Sequence, residues 1–151
     1  MSRPVTIDTQ SVIEAVKNTF ETMTFMEVMP LEIETALEIE EPYWAAIQII
    51  EPVRAKLVMI LPAVLAEEIT ETLFTPEPGL PLPENIALDT LAELVNTIAG
   101  RLMSDQVNLE HTLSISLPEY GRGLPETKNG RIINLTVEEM HPITVLIEDL
   151  T

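Results

Sequence analysis

Leu88-Asp89-Thr90-Leu91-Ala92-Glu93-Leu94-Val95-Asn96-Thr97-Ile98-Ala99-Gly100-Arg101-Leu102 sets its apolar residues at spacings of three and four. Leu88, Leu91, Val95, Ile98 and Leu102 therefore lie along one side of a helix, the side that must be covered. At about 100° per residue, Asp89, Glu93, Asn96 and Gly100 fall on a second stripe, roughly 120–180° away from the first. Inside an exposed helix, Asn costs up to about 0.7 kcal/mol and Gly about 1 kcal/mol relative to Ala. A helix that accepts both along one line keeps that line low, so that another surface can come close. One side of this segment predicts a layer to pack on; the other predicts a partner.

The flanking sequence supplies the layer. Upstream, Asp8 is placed to cap a helix running to about Thr24, with Val12, Val16, Phe20 and Met23 on one face. Leu31 to Glu40 alternates almost strictly, which predicts a half-buried strand whose outer face carries Glu32, Glu34, Glu38 and Glu40. Tyr43 to Ile50 and Val53 to Ile60 predict two more strands, with Glu51-Pro52 at the reversal. Pro62 suits the first turn of a helix that continues through Val64, Leu65, Ile69 and Leu73 to about Phe74. Thr75 to Pro83 holds four prolines and predicts an ordered connector without regular structure.

Beyond the helix at Leu88 come a strand around Thr112 to Leu117 and a turn-rich stretch from Pro118 to Gly130. A final antiparallel pair follows, Ile132 to Glu138 and Ile143 to Asp149, reversing around Met140-His141-Pro142. The order α-β-β-β-α-α-β-β-β predicts one α+β domain over residues 1–151, an antiparallel sheet with helices packed on it. Helix followed by three strands occurs twice, a faint internal echo.

Composition narrows the partners. The chain has 151 residues, 46% of them hydrophobic, which suits a single domain with a real core. Against 8 Lys plus Arg stand 25 Asp plus Glu, a formal charge of −17, which opposes binding to nucleic acid or anionic lipid. The same balance suits a partner with local positive charge. The absence of cysteine excludes disulfides and thiolate chemistry and fits a reducing compartment. The longest apolar run, Leu57 to Ala66, is broken by Pro62 and is far shorter than the ~20 residues that span a bilayer. Met1-Ser2-Arg3-Pro4 lacks the charged and apolar blocks of a signal peptide, so a cytoplasmic protein is expected.

Most enzyme chemistry is missing. No Gly-rich loop opens a helix, no Gly-x-Ser-x-Gly elbow exists, and the acidic alternation from Glu32 to Glu40 suits a solvated strand face. His111 and His141 have no ligand-spaced partner and read as ordinary surface or turn histidines, so no metal site is expected on this chain. Glu93 and Asn96 remain, three apart and hence neighbours on one helical face. A carboxylate can grip a partner's Lys or Arg, and a carboxamide, both donor and acceptor, can hold a water molecule in a chosen direction. Taken alone, the pair suits a docking ridge as well as it suits two polar residues on a wet helix.

Asp89, three residues, Glu93, two residues, Asn96 and then twenty-one residues to Pro118 resembles the signature of the CheC/CheX/FliY phosphatases, which dephosphorylate the chemotaxis response regulator CheY. Val12 to Met23 resembles the opening helix of CheX, and Leu113 to Gly121 the strand and turn after the active helix. The element order matches as well, so the likeness covers most of the chain and implies a CheC-like fold. Length and a single Glu–Asn helix favour the CheX branch: the helix at Pro62 to Phe74 offers Glu67, Glu68 and Glu71 but no asparagine. Glu51-Pro52 departs from the family in lacking the glycines common at that reversal.

The resemblance implies that Glu93 pairs with the receiver domain's lysine and that Asn96 enters its phosphorylation pocket to align water for in-line attack. Asp89, Glu93, Thr97 and Gly100 would meet the partner, with Gly100 giving clearance and Asp89 at the rim. Pro118 would end a strand. Mg²⁺ would sit in the phosphorylated CheY-like receiver and no cofactor on this chain, and family members of this length form homodimers, which long edge strands would permit. Two other readings compete: a receiver- or flagellar-switch-binding module of the same fold without hydrolysis, and a small-molecule-binding α+β domain, which would use an apolar pocket in place of an exposed polar helix.

Overall fold

The computed structural model describes residues 7–74, 84–104, 112–127 and 130–150. Within them the chain runs α1 (Thr9–Thr24), β1 (Val28–Pro30), β2 (Pro42–Glu51), β3 (Ala55–Pro62), α2 (Ala63–Leu73), α3 (Glu84–Ser104), β4 (Ser114–Ile115), β5 (Glu119–Arg122), β6 (Arg131–Val137) and β7 (His141–Asp149). The expected connector from Thr75 to Pro83, the N-terminal Met1-Ser2-Arg3-Pro4 and His111 lie outside the described residues. Asp8 caps α1 as expected, its Oδ1 accepting the Ser11 N–H at 2.7 Å. That bond satisfies one of the free N–H groups at the helix start and holds the Asp8 carboxyl below the usual carboxylate range.

All strands pair antiparallel in one sheet of order β1-β6-β7-β3-β2-β4, with β5 also on β2. The echo in the sequence becomes geometry here. The third strands of the two halves, β3 and β7, pair at the centre, and each flanking second strand pairs with a first strand of the other half, β6 with β1 and β2 with β4 and β5. Helices α1 and α3 open the two halves and are therefore counterparts.

The helices share one face of the sheet. Val12, Val16 and Phe20 of α1, Leu65 and Ile69 of α2, and Leu91, Leu94 and Ile98 of α3 bury against Leu57, Met59 and Leu61 of β3 and Ile143, Val145 and Ile147 of β7. The intervening residues of the central strands, Val58, Ile60 and Leu146, form a smaller cluster on the other face with Ala46, Trp44 and Ile39. Covering on both sides explains why the centre of β3 reads as an unbroken apolar run.

Four expectations change. Leu31 to Glu40 is not a strand: only Val28–Pro30 pairs, with β6, and the alternating segment beyond it is irregular. Leu31, Leu37 and Ile39 are half-buried while Ile33 is exposed, so the alternation is only partly a covered face, and it does not decide what takes the backbone hydrogen bonds. Here Asn134 takes them. Its carbonyl accepts Leu31 N–H at 2.9 Å, and its buried side-chain amide donates to the Ile33 and Thr35 carbonyls, both at 2.7 Å. Thr144 Oγ1 in turn donates to Asn134 Oδ1 at 2.8 Å, so the loop is pinned across the outer face.

The turn-rich stretch after Pro118 contains β5, whose Gly121 pairs with Trp44; a Cβ there would stand 2.9 Å from the indole Nε1. The last reversal is at Glu138–Met140, with Glu138 and Glu139 in the left-handed region, two residues before the expected turn. The reversal between β2 and β3 carries a cis peptide bond at Glu51–Pro52. Edges, finally, are short: β1 has three residues, and β4 and β5 two and four, so the long edge strands expected to allow pairing between copies are not found among the described residues.

Candidate functional site

The α3 helix packs its apolar side on α1, α2 and β2, which leaves one face outward. Leu91, Leu94, Val95, Ile98 and Ala99 are buried, Asp89 and Glu93 are exposed, and Asn96, Thr97 and Gly100 are half-buried. The stripe expected from the spacing is thus on the surface, and it sinks toward the C-terminal half of the helix. Among the described residues, neither the Glu93 carboxylate nor the Asn96 amide has a side-chain hydrogen-bond partner. A carboxylate and a carboxamide one turn apart thus stand without side-chain partners among the described residues.

The neighbours of that pair divide. Thr97 turns its hydroxyl inward, donating to the Glu93 carbonyl at 2.9 Å, so what it offers a partner is its methyl side. Gly100 has nothing within 4 Å of where a Cβ would stand, so no neighbour among the described residues requires a glycine. Asp89 is engaged: its Oδ1 accepts the Tyr120 hydroxyl of β5 at 3.0 Å. That hydrogen bond, and then the carboxylate charge, raise the Tyr120 phenol above its ordinary value. Sequence periodicity on α3 could not find Tyr120, thirty-one residues away; the available signal was an aromatic in an otherwise polar segment directly after Pro118. Pro118 lies between β4 and β5, where it fits a strand terminator.

Other polar groups are accounted for elsewhere. His141 is a buried residue at the start of β7, not a surface or turn histidine, and its Nε2 lies 3.2 Å from Glu68 Oε2 of α2. Its position at the start of β7 beside α2 accounts for its burial. No group of three or more His, Asp or Glu among the described residues is arranged to hold a metal ion, and no described helix is long and apolar enough to cross a membrane.

The internal repeat also corrects which helix should be compared with α3. The search for a second Glu–Asn pair belongs on α1, not on α2. Matching buried Val12, Val16 and Phe20 to buried Leu91, Val95 and Ala99 sets Glu14 against Glu93 but Lys17 against Asn96. The α1 counterpart therefore lacks the carboxamide of α3, and a lysine cannot accept a hydrogen bond from water.

Comparison with solved structures places the architecture. A putative chemotaxis protein of Desulfovibrio vulgaris Hildenborough is similar at TM-score 0.73 with 15% identity, over 97% of this chain and 98% of that one. CheX of Desulfovibrio desulfuricans is similar at TM-score 0.71 with 13% identity, over 91% and 95%. The fold is that of CheX. CheX of Borrelia burgdorferi, solved as a CheX–CheY–BeF₃–Mg²⁺ complex, is similar at TM-score 0.71 with 16% identity, over 95% and 98%. No family model and no curated protein matches the sequence. The CheX-like fold therefore comes from structure, and what α3 does must be argued from its own residues.

Proposed function

We propose that this chain is a CheX-type phosphatase that hydrolyses the aspartyl phosphate of a CheY-type response regulator, with α3 as its working surface. The observation that carries the reading is the placement of Glu93 and Asn96. They stand one turn apart on the open face of a helix whose other faces are buried, with Gly100 leaving space beside them. The likeness to a CheX solved with CheY supports the choice of partner.

In this reading Glu93 forms a charge-assisted hydrogen bond with the receiver's lysine and fixes the orientation of the two proteins. Asn96 enters the phosphorylation pocket, where its side-chain oxygen accepts a hydrogen bond from water and turns the water oxygen toward phosphorus. The new bond forms between that oxygen and phosphorus while the bond to the aspartyl oxygen breaks. The products are inorganic phosphate and the receiver's free carboxylate. Phosphoryl transfer demands positioning and charge stabilisation more than covalent work, so two neutral-pH-stable side chains suffice on this side. Mg²⁺ and the remaining phosphoryl contacts belong to the receiver.

The test is release of inorganic phosphate from phosphorylated CheY-type receiver domains with and without the purified chain. Accelerated release, first order in the added chain, is expected. Saturable binding of the phosphorylated receiver without acceleration would instead support the non-catalytic module.

A further inference from the structure

We propose that Tyr120 is the aromatic anchor of the receiver-docking surface, and that Asp89 is the residue that holds it in its docking position. The inference rests on α3 being the helix that meets the receiver. Along β5, Tyr120 pairs with Ala45, whose side chain belongs to the core beneath the helices, whereas Gly121 pairs with Trp44 of the opposite face. Tyr120 therefore emerges on the helix side of the sheet, next to α3, and its hydroxyl reaches Asp89 at 3.0 Å. Asp89 is one turn before Glu93, which places the ring alongside the working stripe.

Tyr120 is 43% exposed, so its hydroxyl is fixed while part of its ring faces solvent. A bound hydroxyl fixes χ1 and hence the direction of the ring before a partner arrives, and an aromatic fixed in advance costs little further entropy on binding. Leu117, three residues earlier and 88% exposed, adds an apolar side chain to the same segment. Buried aromatics commonly dominate the energy of protein interfaces, with polar contacts around them.

Charge selects the occupant. Asp89 keeps its charge while one of its oxygens holds Tyr120, and the Glu93 carboxylate has no side-chain partner among the described residues, on a chain with 25 acidic and 8 basic residues. A receiver that offers its lysine to Glu93 and an apolar patch to Tyr120 would be held at two points. Two points of different chemistry fix an orientation where one ion pair does not.

The test compares Tyr120→Ala, Tyr120→Phe, Asp89→Ala and the Tyr120→Phe/Asp89→Ala double variant with the wild type. For each, KM and kcat are measured on a phosphorylated CheY-type receiver domain, and Kd on the same receiver loaded with beryllofluoride and Mg²⁺. Tyr120→Ala should raise KM and Kd at least about tenfold with kcat within twofold of wild type. Tyr120→Phe and Asp89→Ala should each raise Kd about threefold, and the double variant no further, because both remove the same hydrogen bond. Wild-type Kd in Tyr120→Ala overturns the proposal, as does a loss of kcat at unchanged KM. So does a Kd change that vanishes once the fraction folded, read from thermal melts, is corrected for. If the wild type binds the receiver without hydrolysing it, the phosphatase reading fails while the Kd series still decides Tyr120. If it binds no phosphorylated receiver in a panel of CheY-type domains, both fail.

Discussion

Gly100 separates what the fold needs from what a partner needs. The glycine lies inside α3, and a Cβ built there meets nothing within 4 Å, so a methyl group can be added without displacing any neighbour. Replacing a helical Gly by Ala reduces the freedom of the unfolded chain and is worth about 0.5–1 kcal/mol where the backbone already suits Ala. For a domain of this size that corresponds to a rise in Tm of roughly 2–4 °C per kcal/mol. A residue kept for the fold would not leave such a gain unused. Gly100→Ala should therefore melt higher than wild type, and Gly100→Leu should melt no lower. Both should bind a phosphorylated receiver less well, with Gly100→Leu raising KM at least about tenfold through steric exclusion of the partner. Paired thermal melts and phosphate-release kinetics read the two effects on the same samples. Destabilisation by Ala would refute the open space beside the helix, and an unchanged KM in the Leu variant would refute the clearance role.

Three further outcomes follow from named contacts. Glu93→Ala should weaken receiver docking up to about fivefold at low salt and flatten its salt dependence, since one exposed intermolecular ion pair is removed; KM measured across a salt series checks this, and a slope equal to wild type contradicts it. Asn134→Ala breaks two bonds to loop carbonyls and one from Thr144, which at about 0.5–1.5 kcal/mol each should cost about 2–4 kcal/mol in urea unfolding while kcat stays unchanged, the loop being on the face away from α3; an unshifted midpoint would show that the loop is held by other means. Asp8→Ala should be less stable than wild type at pH 7, and the gap should close as pH falls. The folded-state pKa of Asp8 lies below its ordinary 3.8, so its contribution is complete above that value and is lost as the pH drops through the lower folded value. A gap that stays constant down to pH 3 would contradict the cap.

Periodicity made α1, β2, β3, α2 and α3 legible, because each buries a face whose spacing matches its own geometry. It misled at Leu31 to Glu40 for a physical reason: an alternating sequence fits a strand, but a buried asparagine on β6 supplies hydrogen bonds that a neighbouring strand would have made. β5 was hidden among Gly and Pro because Gly121, which looks like a turn residue, is there to admit the Trp44 ring. The candidate site was half legible. Glu93, Asn96 and Gly100 show themselves by position along one helix, and the structure sets them on its open face. Tyr120 does not, because its bond to Asp89 depends on where β5 lies against α3, a tertiary relation with no period to detect. The internal repeat was faint in the sequence since α1 and α3 share their pattern of burial but few identities, Glu14 with Glu93 and Val16 with Val95.

The central claim is that Asn96 aligns the attacking water, and a single-turnover comparison of wild type with Asn96→Ala tests it most directly. A phosphorylated receiver is mixed with saturating enzyme and inorganic phosphate is followed in time, with Kd for the beryllofluoride-loaded receiver measured alongside. The account predicts that Kd stays within about threefold while the rate of hydrolysis falls on the order of 10²–10³, the loss expected for one well-placed polar group. Hydrolysis by Asn96→Ala at the wild-type rate, with receiver binding intact, would contradict it.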